Sequence, residues 1–332
     1  MIKIGVLGAG FMGTTHAKAI AQLPNAKVVG ITSRRRERAE ALAAAVGATV
    51  FDTPEALIAS PEIEVVDNTY PTFLHAGHTI SALEQGKHVI CEKPIAPTLA
   101  EADTMLAASA RSGKHLMLAH VLRFWPEYVA LQEVVASGEL GRPLAAQASR
   151  LSFFPNWADW IVKAELSGGP VVDLMIHDFD MLNWLLGRPR QVSAYGRPGK
   201  TGSWDHIFAT LQYDETEALA EGSLMMPPNF PFTATLRVVC EEGCAEYIFR
   251  AGGPSVEMGT SQNSLMVYNS NGEARQVTVE AKDPYLAQVE YFVNCLEAGR
   301  APDRVTPEAA RQALAVSLAA RQSLERGQPV NL

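Results

Sequence analysis

"IKIGVLGAGFMGTTHAKAI", residues 2 to 20, decides the fold. Ile2, Ile4, Val6 and Leu7 form a short apolar run that stops at Gly8. Such a run, bounded by glycine, reads as a buried strand, and a helix is expected from about Met12 to Leu23. Between them Gly8-Ala9-Gly10-Phe11-Met12-Gly13 fits G-x-G-x-x-G. The pattern is weak alone, but here it follows a strand and opens a helix, the context that gives it a mechanism. Gly8 permits a tight turn, Gly10 lets a pyrophosphate approach the backbone, and Gly13 lets the helix pack on the strand. The helix N-terminus then faces the anion. Gly8, Gly10, Phe11, Met12 and Gly13 are therefore expected to bind a dinucleotide.

Outward from this stretch the pattern repeats. "KVVGITS", "TVFD", "EVVDNTY", "HVICEK" and "HLMLAH" read as strands, and helical stretches such as "ERAEALAAAVG" and "TLAEADTMLAASARSG" separate them. Strand–helix alternation implies a parallel sheet covered on both faces, and right-handed crossovers make it doubly wound. After about His120 the style changes to alternating runs joined by turn residues, with hairpin signals at "CEEGC" and "NSNGE". The last of these runs is "ARQVTVEAK". One helix, "VVDLMIHDFDMLNWLLG", interrupts them, and two more, at about 285–298 and 307–326, close the chain. The expected fold class is α/β: a Rossmann domain over residues 1–121, then an α+β domain over 122–332. The second domain carries an open, mostly antiparallel sheet for substrate binding and oligomerisation.

With 332 residues, two domains are the default. The formal charge of -8 argues against nucleic acid as a partner, because phosphate binding needs concentrated Lys and Arg. No run of eighteen apolar residues suggests a membrane span, and no signal peptide is visible, so a cytoplasmic protein is expected. The four cysteines form no metal pattern and are expected as reduced thiols. An uncovered sheet face in the second domain predicts a homodimer or homotetramer.

The end of the second strand should read the adenosine ribose. NAD sites place a carboxylate there for the 2′-hydroxyl, whereas this chain has Ser33-Arg34-Arg35. A hydroxyl and a guanidinium fork suit a 2′-phosphate. NADP(H) is favoured on this ground, with NAD(H) as the alternative. The other reading of the arginines is a solvated helix start.

"VICEKPIA", residues 89 to 96, delivers Glu92 and Lys93 to a strand end on the sheet edge where such folds bind ligands. In "GGPVVDLMIHDFDMLNWLLG", Asp173 and His177 are four residues apart and share a helix face, with Asp180 and Trp184 continuing the stripe. Val172, Met175, Ile176, Phe179 and Leu186 mark the core side. A solvated surface helix would show the same pattern.

The Gly-rich loop, Glu92-Lys93-Pro94 after a strand, and Gly168-Gly169 followed by Asp173 and His177 together resemble the Gfo/Idh/MocA oxidoreductase family, which groups glucose–fructose oxidoreductase and inositol dehydrogenases. The resemblance spans essentially the whole chain, including "LRFWPEY" and the C-terminal helices. Pro170 departs from it, because the family often has a third glycine there. The resemblance implies that Lys93 contacts both the substrate and the nicotinamide ribose, and that Glu92 bonds the ribose hydroxyls. It further implies that Asp173 holds a substrate hydroxyl and that His177 is the acid/base. The chemistry agrees: oxidising a carbinol needs a group to take the hydroxyl proton, and an imidazole titrates near neutral pH. A lysine ammonium stabilises the developing alkoxide. The substrate class implied is a sugar, cyclic polyol or derivative.

Thr69, Pro71 and His75 line the cofactor in the family, although His75 reads equally as a packed helix-start histidine. Arg123 shapes the substrate pocket or braces the interdomain joint. Trp157 and Trp160 stack on a sugar ring or serve as core or oligomer contacts. His177, Asp178 and Asp180 are too spread around a helix to share one ion, so no metal is expected. Two other functions stay open: a glycosidase of the same family that retains NAD, and a non-catalytic dinucleotide sensor. The sensor would have no use for Lys93 with His177.

Overall fold

A computed structural model of the chain describes residues 1–154, 160–251 and 261–332. Its contacts divide into two units: residues 1–124 with 282–311, and residues 125–281 with 312–332.

Unit 1 alternates strand and helix throughout. β1 (Ile2–Leu7), α1 (Phe11–Ile20), β2 (Ala26–Thr32), α2 (Arg36–Val46), β3 (Thr49–Val50) and α3 (Pro54–Ala59) make its first half. β4 (Val65–Asn68), α4 (His75–Glu84), β5 (His88–Glu92), α5 (Leu99–Ser112) and β6 (Leu116–Ala119) make the second. All strand pairs are parallel, in the order β3-β2-β1-β4-β5-β6. Chain order reverses between β1 and β4, and at that switch point open α/β sheets bind ligands. β4 is buried along its length, as a central parallel strand must be.

Unit 2 contains α6 (Pro126–Ala136), β7 (Pro143–Phe153), α7 (Ala164–Ser167), α8 (Pro170–Asp173), α9 (Ile176–Leu186), β8 (Gln191–Pro198) and β9 (Trp204–Gln212). It continues with β10 (Glu217–Met226), β11 (Thr233–Cys240), β12 (Gly243–Arg250), β13 (Gln262–Asn269) and β14 (Ala274–Gln276). The chain ends with α10 (Pro284–Glu297), α11 (Pro307–Arg326) and β15 (Val330–Asn331). The nine-stranded sheet has the order β14-β13-β12-β11-β7-β10-β9-β8-β15. Only β7 and β10 pair in parallel among the described strands of this sheet. One face, with Ala148, Ile207, Leu236, Val238 and Tyr247, is buried beside α6 and α9. The opposite face presents Tyr195, Phe208, Arg237, Val239 and Tyr268 as exposed side chains.

Four expectations change. Residues 282–311 belong with unit 1 rather than with the second domain, because α10 packs on α1: the Asn25 amide donates to Asn294 and Glu297. α6 is an additional helix, marked by Pro126 at its first position, Glu127 in its first turn, and buried Tyr128, Leu131, Val134 and Val135. "ARQVTVEAK" supplies only the three residues of β14, an edge strand with a single neighbour among the described residues. The helix expected over "VVDLMIHDFDMLNWLLG" is two helices, α8 and α9, with a break at Leu174–Met175. All four cysteines carry free thiols. No helix among the described residues is long and apolar enough to cross a membrane.

Candidate functional site

The Gly-rich loop joins β1 to α1 at the carboxyl edge of the unit 1 sheet. Gly8 has φ +112, a conformation that L side chains rarely adopt. A Cβ on Gly13 would lie 2.0 Å from the Gly8 carbonyl oxygen, so only glycine lets the helix seat on the strand end. A Cβ on Gly10, by contrast, would meet no atom within 4 Å among the described residues. The loop is thus packed tight at Gly8 and Gly13 and open at Gly10, and Gly10 and Phe11 are exposed while Met12 is half-buried. The first-turn N–H groups of α1 have no acceptor within the helix, and that turn carries no acidic residue. This cradle fits a dinucleotide pyrophosphate. Thr69, just past β4, closes its floor: its hydroxyl donates to the Leu7 carbonyl at 2.8 Å, and its Oγ1 would meet a Cβ on either glycine.

At the end of β2, Ser33 is half-buried, and its Oγ accepts the Arg35 N–H at 3.3 Å. Arg36 is engaged by Glu40 and Asp52, while Arg34 and Arg35 are exposed. Pro71 is buried in the turn before α4. His75 is buried with Nε2 2.7 Å from the Tyr70 carbonyl oxygen and Nδ1 2.8 Å from that of Pro94. Its side chain therefore ties the loop after β4 to the loop after β5. Burial pushes its pKa down, against the pull of those two carbonyls.

β5 and β4 are in register, Cys91 beside Asn68, so Glu92 emerges on the same edge as Thr69 and the Gly-rich loop. Glu92 Oε2 accepts the Lys93 backbone N–H at 3.0 Å, and Oε1 lies 3.3 Å from His16 Nε2. Burial would raise the Glu92 carboxyl, but His16 and then Lys93 hold it below its ordinary value. Lys93 is half-buried, and the Lys93–Pro94 peptide is cis. Arg123 is buried and donates to the Arg304 carbonyl at 2.9 Å, which fastens residues 121–124 to the returning C-terminal segment within unit 1.

In unit 2, Gly168 (φ +82) and Gly169 (φ +73) turn the chain into α8, and a Cβ on Gly168 would strike Val172 at 2.7 Å. Pro170 occupies the first helical position, where a missing N–H costs nothing, so the departure from a third glycine leaves the helix start sound. The Pro170 carbonyl accepts from both Leu174 and Met175, at 3.0 and 2.9 Å, which displaces the ladder and breaks the helix there. Met175 is buried, and Gly222 of β10 leaves room for it, since a Cβ there would lie 2.3 Å from Met175 Cγ. Asp173 therefore ends α8 and His177 lies in the first turn of α9, both half-buried. Asp180 is buried, not on a solvated face, while Trp184 and Leu186 are half-buried. Trp160 is half-buried in the turn before α7, and Trp157 lies outside the described residues. Among the described residues no three His, Cys, Asp or Glu side chains are grouped to hold a metal.

The model of the oxidoreductase family with an NAD-binding Rossmann fold, GFO_IDH_MocA, matches residues 2–120, and the GFO/IDH/MocA C-terminal domain model matches residues 128–246. The chain belongs to the Gfo/Idh/MocA oxidoreductase family. Among similar proteins, the scyllo-inositol 2-dehydrogenase (NAD(+)) of Bacillus subtilis is 27% identical, over 100% of this chain and 96% of its own. The D-xylose 1-dehydrogenase (NADP(+)) 2 of Haloferax volcanii is 28% identical over 100% of both chains. The solved UDP-N-acetylglucosamine 3-dehydrogenase of Acidithiobacillus ferrooxidans has a TM-score of 0.81 and 26% identity, covering 98% of each chain.

Two buried ionic clusters of this Gfo/Idh/MocA chain are built around residues not singled out from its sequence. Arg150 of β7 donates to Asp178 through Nε and a terminal nitrogen, each at 2.9 Å, and ties α9 to the sheet. His16 of α1 lies between Asp67 and Glu92. The available signal was a charged or imidazole side chain inside an apolar run, at Asp67 in "VVDN" and His16 in "HAKAI".

Proposed function

We propose that this chain is an NAD(P)-dependent dehydrogenase or reductase acting on a CH–OH carbon of a sugar, cyclic polyol or derivative. One observation carries it: Glu92 and Lys93 leave β5 on the sheet edge that bears the Gly8–Gly13 cradle. The relatives support the substrate class, being named as inositol and xylose dehydrogenases. A bound nicotinamide supplies the hydride acceptor or donor. Gly8, Gly10, Phe11, Met12 and Gly13 hold the pyrophosphate, Thr69 and Pro71 shape the same edge, and Glu92 accepts from ribose hydroxyls. His177 takes the proton of the reacting hydroxyl, Asp173 orients that hydroxyl, and the Lys93 ammonium stabilises the alkoxide as it forms. Arg123 and Trp160 are weaker candidates for substrate contacts. A panel of polyols and sugars, tested with NAD⁺ and NADP⁺ and read by the absorbance of the reduced nicotinamide, tests this. No turnover of any member with either cofactor would count against it.

NADP(H) is the preferred cofactor in this reading, because half-buried Ser33 and exposed Arg34 stand at the end of β2 in place of a carboxylate. Arg34→Ala is expected to weaken NADP⁺ about 10- to 100-fold in calorimetric titration and to leave NAD⁺ nearly unchanged. Equal effects on both cofactors would overturn the preference.

The chain assembles as a homodimer or homotetramer through the open face of the unit 2 sheet. Tyr195, 67% exposed, stands beside exposed Phe208 in register on that face. Light scattering should give a multimer, and Tyr195→Glu with Phe208→Glu should dissociate it. A wild-type monomer at micromolar concentration would exclude this assembly.

A further inference from the structure

His16 is fully buried in α1, the helix whose first turn forms the Gly-rich cradle. Its Nδ1 lies 3.1 Å from both carboxylate oxygens of Asp67 on β4, and its Nε2 lies 3.3 Å from Glu92 Oε1 on β5. A neutral imidazole donates from one nitrogen only, whereas two flanking carboxylates need a proton on each. The cluster is therefore carboxylate–imidazolium–carboxylate. Burial works against the charge, but Asp67 and Glu92 together raise the His16 pKa to about 10. Other groups acting on the cluster are Lys93 and His75 beside Glu92, and Cys91, whose thiol both carboxylates and burial push up.

Gln288 of α10 completes the cluster. Its Nε2 is 3.5 Å from His16 Nε2, and its buried Oε1 has no partner among the described residues. Reversed, the amide would present that oxygen to the Nε2–H.

We propose that His16 is a positioning residue for the cofactor site: pinned by Asp67, it holds the Glu92 carboxylate ionised and in one orientation to receive ribose hydroxyls. This rests on the reading of Glu92 as the ribose-binding carboxylate. Glu92 has both oxygens tied, Oε1 to His16 and Oε2 to the Lys93 N–H, which fixes its plane. Each oxygen keeps a second acceptor position for a hydroxyl. Without His16, the buried Glu92 and Asp67 face each other's field uncompensated, and one of them takes up a proton. Glu92 then loses its charge or its orientation.

Two measurements test this. In ¹⁵N-histidine-labelled wild type, with the signal assigned by its loss in His16→Asn, the His16 ring should stay an imidazolium well above ~6.5, where an ordinary histidine titrates. A normal titration overturns the proposal. Calorimetric NADP⁺ titration of His16→Asn, Glu92→Gln and the double variant makes a cycle. Each single change should weaken binding about tenfold, and the double should bind no worse than Glu92→Gln. Additive losses mean that His16 does not act through Glu92 and overturn the proposal alone. Unchanged affinity in Glu92→Gln overturns the ribose reading, and the proposal falls with it. If His16→Asn does not fold, the isosteric Asp67→Asn takes its place in the cycle, with the same expected non-additivity.

Discussion

His177→Ala is expected to lower kcat about 10²- to 10⁴-fold while the dissociation constant for NADP⁺ changes little. The imidazole belongs to α9 in unit 2, whereas the glycine cradle belongs to α1 in unit 1. Removing it takes away the proposed proton acceptor and leaves the cradle intact. Lys93→Ala should lower kcat by a similar factor if, as proposed, its ammonium stabilises the alkoxide. Lys93→Arg keeps the charge but not the compact ammonium, and should recover only part of the loss. The two roles are separable by pH. The acid side of the kcat/KM profile should disappear in His177→Ala and persist in Lys93→Ala. Near-wild-type turnover in both alanine variants would remove the proposed chemistry.

Asp178→Ala is expected to destabilise unit 2 by about 3–5 kcal/mol. The change leaves the buried Arg150 guanidinium facing a void, at a place where it now makes two charge-assisted hydrogen bonds to Asp178. Arg150 also lies near the Tyr128 hydroxyl, 3.5 Å away, but a phenol cannot neutralise it. All five tryptophans fall within residues 125–281, so their fluorescence in a urea titration reports on unit 2. The midpoint should drop clearly with little change in slope. Arg150→Met with Asp178→Leu removes both charges together and should recover much of the loss. A midpoint unchanged by Asp178→Ala would show that the pair contributes nothing. Because Asp178 adjoins His177 in α9, the pair also fixes the first turn of that helix on the sheet.

Much of unit 1 was legible because its signals are local. The glycine spacing and the apolar strands each act within a few residues, where chain geometry alone decides the outcome. Glu92 and Lys93 were legible for the same reason, since the direction of a parallel strand fixes the edge at which its last residues emerge. The break between α8 and α9 was not legible: Asp173 and His177 have helical spacing, but the break comes where the Pro170 carbonyl accepts hydrogen bonds from both Leu174 and Met175, at a point where Met175 packs into the space left by Gly222. Asp180 carries a polar name and a helical phase that suggest solvent, yet it is buried. Burial depends on what covers a face, and the covering elements are distant in sequence.

From the sequence alone follow a glycine cradle at residues 8–13, a doubly wound first domain and a mostly antiparallel second sheet, and the family resemblance adds the expectation that Lys93, Asp173 and His177 carry the chemistry. Periodicity, turn chemistry and strand direction suffice for the first three, because they act over one turn or one strand. Only the tertiary structure decided that residues 282–311 return to the first unit and that Asp178 is matched to Arg150. It alone brought His16, Asp67, Glu92 and Gln288 to one buried point. Those partners lie 28 to 272 residues apart, and a buried charge is satisfied by whichever group the fold brings within about 3 Å, a distance that sequence order does not encode.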